Sequence, residues 1–272
     1  MAMHNHDMVS VAIVALEKAD SLIDLVASII LQLNERDEIV IVVGPPRPGA
    51  PSDMTYEVAE EIARQVPRVS VLTSMIRKRN ACYELAIRTC LGKTVFLAEP
   101  GDIWAPDKVA TVLEAMTAKG AAMVLHDAAL YAPRQNNRHY PSLFSVMCAQ
   151  TELSILSLQS NLTEQQIRDS YVGSCIAFRR PLSQFFLPFP RQAARYDQWI
   201  GLVAEKYGGV AVVTQPLISK SMGDGADTPA LMLSVADRHE EQRRLSKALK
   251  KRHKELSLKL RQLAESGRHT AS

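Results

Sequence analysis

Gly92-Lys93-Thr94-Val95-Phe96-Leu97-Ala98-Glu99-Pro100-Gly101-Asp102-Ile103-Trp104 decides how this chain is read. Thr94–Ala98 is a short apolar run, the composition of a buried strand. It ends in Glu99-Pro100-Gly101-Asp102, a Pro-Gly turn carrying two carboxylates. Working outward, the same strand signal recurs. Val9–Ala15 (VSVAIVA) and Glu38–Val43 (EIVIVV) are β-branched runs, and Val69–Leu72 and Ala121–Leu125 continue the series. Between them lie helical patterns over Asp20–Leu33, Thr55–Gln65, Asn80–Cys90 and Asp107–Lys119. Strands alternating with helices imply βαβ units and a mostly parallel sheet. In open sheets of that kind, ligands bind at the carboxyl ends of the strands, where the Glu99–Asp102 turn falls.

The rest of the chain is less regular. Arg134–Asn161 reads as a helical excursion around an Asn136-Asn137 turn, and Tyr171–Arg180 contains a strand-like segment. Tyr196–Tyr207 is a helix stopped by Gly208-Gly209, and Val210–Thr214 is the last clear strand. Asp237–Glu265 has no Gly or Pro and is rich in Leu, Lys, Arg and Glu, so one long helix is expected.

Of 272 residues, 47% are hydrophobic and 22% charged, an ordinary globular balance that suits one α/β domain. No apolar run reaches the roughly 18 residues of a membrane span, and the polar start, Met1 to Asp7, is not read as a signal peptide. Cys82, Cys90, Cys148 and Cys175 form neither a CxxC pair nor a disulfide framework, so the cytoplasm is the expected compartment. The net charge of +3 is unevenly spread: from Asp237 onward there are 11 Lys/Arg and 5 Asp/Glu, against 21 and 24 before it. Leu245, Leu249, Leu256, Leu260 and Leu263 place most of their side chains on one stripe of that basic helix. Such a helix lies on an anionic membrane surface, pairs with a partner helix, or packs on its own domain with a solvated face. A peripheral position on the inner membrane face goes with the first of these. No nucleic-acid partner is expected.

Arg79-Asn80, Ala86-Ile87, Gly92–Trp104 and Pro106-Asp107-Lys108-Val109, taken in order, resemble the family 2 glycosyltransferases, and most closely their rhamnosyltransferase-type members. Leu125-His126-Asp127 is similar to the family's next strand end, Gly173–Arg180 to its acceptor-side glycine segment, Tyr196-Asp197-Gln198-Trp199-Ile200 to its catalytic Asp-x-Trp box, and Gln215-Pro216-Leu217-Ile218 to the strand before its last motif. The resemblance covers about residues 8–228, with 229–272 left as a basic amphipathic tail. It implies a GT-A fold: a Rossmann-like, mixed and mostly parallel sheet flanked by helices, followed by the C-terminal basic helix. It also implies an inverting transferase moving a sugar from a nucleoside-diphosphate sugar to a glycan or lipid-linked acceptor, as in surface polysaccharide synthesis.

That chemistry asks for two things. Charge building on the leaving diphosphate needs a divalent cation, Mg or Mn, or a basic cluster, and the acceptor hydroxyl needs a general base. The resemblance assigns the base to Asp197, with Trp199, Trp104 and Gly173 on the acceptor side. The local alternative for Asp197 is an N-terminal helix acid beside a core Trp. Glu99 and Asp102 are the candidate metal ligands, against the alternative of a turn that Asp102 caps. Arg79, Asn80, Asp127 and Lys220 complete the donor side, with Arg77 and Lys78 beside Arg79; for Asp127 with His126, a strand-end cap is the alternative. Three positions depart from the family pattern. Its Asp-x-Asp-Asp cluster reads Glu99-Pro100-Gly101-Asp102, its base-reading Asp is replaced by Gly44-Pro45, and Met222 stands near its final His. These losses keep open a second reading, a glycosyltransferase-like scaffold without catalysis. Glu17, Lys18 and Asp20 are read as ordinary loop and cap residues. A nucleotidyltransferase is disfavoured because Leu16-Glu17-Lys18 follows the first strand in place of a glycine-rich loop, and a dinucleotide-binding oxidoreductase because no GxGxxG follows any strand.

Overall fold

The computed structural model describes residues 6–17, 19–49, 53–132, 138–139, 142–145, 171–221 and 235–269. Most of the Arg134–Asn161 segment, Lys18 and Met222 lie outside them. The first half alternates as read: β1 (Val9–Ala15), α1 (Ala19–Ile30), β2 (Glu38–Val43), α2 (Thr55–Gln65), β3 (Val69–Thr73), α3 (Arg79–Thr89) and β4 (Thr94–Ala98). The hydrophobic runs force this outcome. Every residue of β1 and β4 is buried, as is β2 after Glu38. Strands covered on both faces read as continuous apolar runs. Helix α1 turns Leu22, Leu25, Val26 and Ile29 inward, and α3 turns Cys82, Tyr83, Ala86 and Ile87 inward. The strands pair in parallel in the order β3-β2-β1-β4.

Beyond β4 the sheet is mixed. It continues through β5 (Asp102–Trp104), α4 (Lys108–Ala118), β6 (Met123–Ala132), β7 (Arg138–His139) and β8 (Ile176–Arg179), the last preceded by a 3-10 turn at Gly173–Cys175. Then come a short α5 (Ser183–Phe186), α6 (Tyr196–Tyr207), β9 (Val210–Ser221) and α7 (Val235–His269). The full order is β3-β2-β1-β4-β8-β6-β9-β5, with β8 antiparallel to both neighbours and β7 on β6. Strands β6 and β9 run well past the expected Leu125 and Thr214. Their apolar runs are interrupted by His126-Asp127 and Gln215-Pro216, where the ladder shifts register and Asp127 comes opposite Pro216. A proline is tolerated in a strand where the ladder is bulged. Strand β5 hides inside what the sequence presents as a turn.

Gly92 and Gly173 are among the glycines that leave no room for a side chain. A Cβ at Gly92 would stand 2.6 Å from the Ser10 backbone nitrogen; instead the Gly92 N–H donates to Ser10 Oγ at 2.7 Å, and that hydroxyl donates to Glu38 Oε1. A Cβ at Gly173 would overlap the Tyr196 hydroxyl. Helix α7 is the long basic helix expected. Leu245 and Leu249 are buried, and Arg252 donates to the Leu187 and Pro188 carbonyls at 2.8 and 2.6 Å. Tyr207 Oη and His253 Nδ1 meet at 2.9 Å, so this stretch of the helix is pinned to α6 and the loop before it. The side chains of Leu260 and Leu263 lie outside the described residues, and Leu256 is half-buried. No helix among the described residues is long and apolar enough to cross a membrane.

Candidate functional site

Loops after neighbouring parallel strands end at the same sheet edge, and here they enclose a cleft of about 250 Å³. Val14, Leu16 and Glu17 come from β1 and its loop, Arg47 from the loop after β2, Arg77 and Arg79 from the entry to α3, and Glu99 to Asp102 from the turn after β4. Lys220 reaches in from β9. Four cations and three acids therefore face a common space.

They are arranged in two linked groups. Glu17 takes the Arg47 guanidinium at 3.1 Å and also pairs with Arg77. Arg77 donates further to the Pro45 carbonyl at 2.5 Å and to the Leu16 carbonyl at 3.3 Å, tying the loops after β1 and β2 together. On the other wall, Glu99 Oε1 accepts Arg79 Nη1 at 2.6 Å and the Tyr196 hydroxyl at 2.9 Å. Lys220 Nζ lies 3.0 Å from Asp102 Oδ1, 3.6 Å from Glu99 Oε2 and 3.3 Å from Ser174 Oγ. The pairing of Asp102 with Lys220 is dictated by the backbone: they are register partners across β5 and β9. Burial pushes the Glu99 carboxyl up, but Arg79 and Lys220, with hydrogen bonds from Arg79 and Tyr196, outweigh it and hold it at about 2. Burial works against the Lys220 ammonium, yet Asp102 and Glu99 raise its pKa above the usual lysine value. Arg79 is likewise raised, chiefly by Glu99.

Beneath the cleft sits a second, dry lysine. Lys108 is fully buried, donates to the Ser174 carbonyl at 3.1 Å and lies 3.9 Å from the Trp104 ring centre. Burial drives its pKa down to about 7, with nearby Cys175 and Asp102 opposing the shift.

Of the expected site residues, the structure gathers Arg77, Arg79, Glu99, Asp102 and Lys220 at the cleft; Lys78, Asn80, Trp104, Asp127, Gly173, Asp197 and Trp199 do not line it. Asn80 donates to the Ala193 carbonyl at 2.8 Å and so fixes the approach to α6. Asp127, expected on the donor side, caps backbone instead: its Oδ1 accepts the Ala128 and Phe144 N–H groups at 2.8 and 2.9 Å. Burial raises its pKa. Trp199, expected as an acceptor wall, is wholly buried and donates to the Phe186 carbonyl, so its ring belongs to the core. Trp104 is 3% exposed and serves as the surface under Lys108. Gly173 makes room for Tyr196.

Asp197 is 7% exposed and held by Arg195 in a two-pronged contact, Nε to Oδ1 at 3.2 Å and Nη2 to Oδ2 at 2.9 Å. Oδ1 also accepts the Gln198 N–H. The residue before it, Tyr196, is the one whose hydroxyl reaches the cleft acid Glu99.

A divalent cation does not fit these residues. Such an ion needs several open oxygen ligands. The two carboxylates expected to supply them carry a guanidinium and an ammonium, and Asp102 Oδ2 is sealed from the cleft with no hydrogen-bond partner. Among the described residues no group of three His, Cys, Asp or Glu is placed to hold a metal. Sequence reasoning missed Glu17, Arg47 and Tyr196. The usable signal was positional: the first two follow adjacent parallel strands, and side chains there converge.

A family model described as Glycosyl transferase family 2 matches residues 10–186. Among solved structures, S. aureus TarS 1-349 in complex with UDP-GlcNAc aligns with a TM-score of 0.64 at 15% identity, over 88% of this chain and 65% of that one. The mannosyltransferase PcManGT from Pyrobaculum calidifontis, in complex with GDP-Man and Mn2+, aligns with a TM-score of 0.56 at 16% identity, over 80% of this chain and 57% of that one. The chain thus spans under two thirds of the length of these structures, and the likeness is one of fold. A comparison with curated proteins finds no match.

Proposed function

The chain belongs to glycosyl transferase family 2, and from that premise we propose that it is a glycosyltransferase using a nucleoside-diphosphate sugar. The observation that carries this reading is the cleft. Arg47, Arg77, Arg79 and Lys220 line it at the carboxyl edge of the sheet, at the loops where a nucleotide binds in open α/β folds. The diphosphate of a nucleotide sugar carries two negative charges on its non-bridging oxygens, which converging basic groups suit. The complexes of TarS with UDP-GlcNAc and of PcManGT with GDP-Man are in keeping with such a donor.

In the proposed reaction an acceptor hydroxyl on a glycan or lipid-linked sugar attacks C1 of the donor. The C1–oxygen bond to the diphosphate breaks, the new glycosidic bond forms with inversion, and the leaving electron pair stays on the diphosphate, facing the basic wall. The hydroxyl proton passes to Asp197. A carboxylate oxygen accepts about two hydrogen bonds, and Oδ2 takes one from Arg195, so the acceptor hydroxyl docks on that oxygen while Arg195 holds the carboxylate in place. The reading extends to synthesis of a surface polysaccharide, with the basic face of α7 resting on an anionic membrane where a lipid-linked acceptor is found.

A specific observation favours the second reading, a binding module without catalysis: each cleft cation is already matched to an acid, and Asp197 to Arg195. One variant separates the two. Asp197→Asn should abolish sugar transfer and leave nucleotide affinity, measured by calorimetry, within about twofold of the parent, because the side chain is not among those lining the basic pocket proposed for the diphosphate. Transfer that survives in Asp197→Asn removes the residue from the base role. A parent chain that binds nucleotide yet never transfers sugar supports the module.

A further inference from the structure

We propose that Lys220, seated between Asp102 and Glu99 with Arg79 alongside, is the resident cation of the diphosphate site, so that donor binding requires no metal ion. The inference rests on the nucleotide-sugar reading above and specifies how that site neutralises its ligand.

Geometry carries it. Lys220 is locked by three oxygens, Asp102 Oδ1, Glu99 Oε2 and Ser174 Oγ, at 3.0, 3.6 and 3.3 Å. An ammonium held by oxygens from a turn, a strand and a 3-10 turn occupies the kind of oxygen-lined position a bound cation would take, and it lines the same cleft. The antiparallel pairing of β5 with β9 puts it there. Arg79 covers the other oxygen of Glu99. The two side chains together carry the formal charge of one divalent ion. Because both are covalently attached and anchored before binding, they lose little freedom when the anion arrives. The departures from the family's pattern agree with this. Gly101 removes one carboxylate from the turn that would face a metal, and Met222 stands near the position of the family's final His.

The test is calorimetry on the full chain with UDP, GDP and dTDP, each in EDTA and in Mn2+. At least one nucleotide should bind in EDTA, with affinity changed by less than about twofold on adding Mn2+. Lys220→Met should weaken that binding at least about tenfold, the scale of one charge-assisted contact to phosphate, and Mn2+ should not restore it. Lys220→Met leaves Asp102 buried and unpaired, which endangers folding. The double variant Asp102→Asn/Lys220→Met removes the pair as a unit and should show the same tenfold loss with a cooperative unfolding transition. Binding that appears only with Mn2+, or a folded double variant with unchanged affinity in EDTA, overturns the proposal while leaving the nucleotide reading intact. Binding of no nucleotide under either condition overturns both.

Discussion

Replacing Glu99 by Gln tests the electrostatics of the cleft without changing its shape. The Glu99 carboxyl is held at about 2 against 4.5 for an ordinary glutamate. Each unit is worth about 1.36 kcal/mol, so the ionised side chain contributes about 3 kcal/mol to folding at neutral pH. It is 17% exposed, so solvent screening takes little from that figure. The sign follows from the depressed folded pKa: the contribution is complete above 4.5 and is lost as pH falls toward 2. Glutamine keeps an acceptor for Tyr196 but has no charge for Arg79 and Lys220. Urea unfolding of parent and Glu99→Gln should therefore differ by about 3 kcal/mol at pH 7 and by somewhat under half of that at pH 3, converging as the parent carboxyl is protonated. A difference that is small at pH 7, or equally large at both pH values, would refute the reasoning, since it would mean that shape and not charge holds the cleft wall.

Two further outcomes follow from the same structure. Lys108, driven to about 7 by burial, binds a proton more readily in the unfolded chain, so the parent should gain about 3 kcal/mol between pH 7 and 9.5; in Lys108→Met, followed by urea unfolding, that gain should vanish, and its persistence would assign it to another group. Reversing the exposed Lys247, Lys250, Lys251 and Lys254 of α7 to Glu spares the buried Leu245 and Leu249; it should release the chain from phosphatidylglycerol vesicles in sedimentation at about 1 kcal/mol per lysine with an unchanged melting temperature, and undiminished sedimentation would rule out a membrane role for that face.

The parallel half of the sheet was legible because its strands are buried on both faces and carry uninterrupted apolar runs, which no local signal contradicts. The mixed half was not. Asp102–Trp104 is only three residues long and begins with an acid, so nothing local separates a strand from the end of a turn. His126-Asp127 and Gln215-Pro216 end the hydrophobic patterns early, although the strands continue through a shifted register. At the site, motif order picked out Glu99, Asp102, Arg79 and Lys220, all of which meet. It left the setting of Trp199 and Asp127 unread, because a motif position specifies neither which way a side chain turns nor whether its polar atoms are consumed by neighbouring backbone. Glu17 was passed over for a related reason: as a lone acid after a strand it is unremarkable, and its role exists only through Arg47 and Arg77, 30 and 60 residues away.

Tyr196 shows how the two halves of such a site are kept in register. Its ring stacks on Tyr83 of α3 at 4.2 Å between centroids, and its hydroxyl, buried with it, has Glu99 as its acceptor. That hydrogen bond spans from the first turn of α6, where Asp197 stands, to the wall of the cleft. It exists because position 173 has no side chain; any Cβ there would overlap the hydroxyl. A displacement of α6 therefore strips a hydrogen bond from a buried carboxylate, which costs more than the bond itself is worth. Lysine and arginine neutralise Glu99 from the cleft side, whereas tyrosine ties it to the first turn of α6. The first turn of α6, which carries the proposed base, is thus tied to the proposed cation centre by a neutral contact.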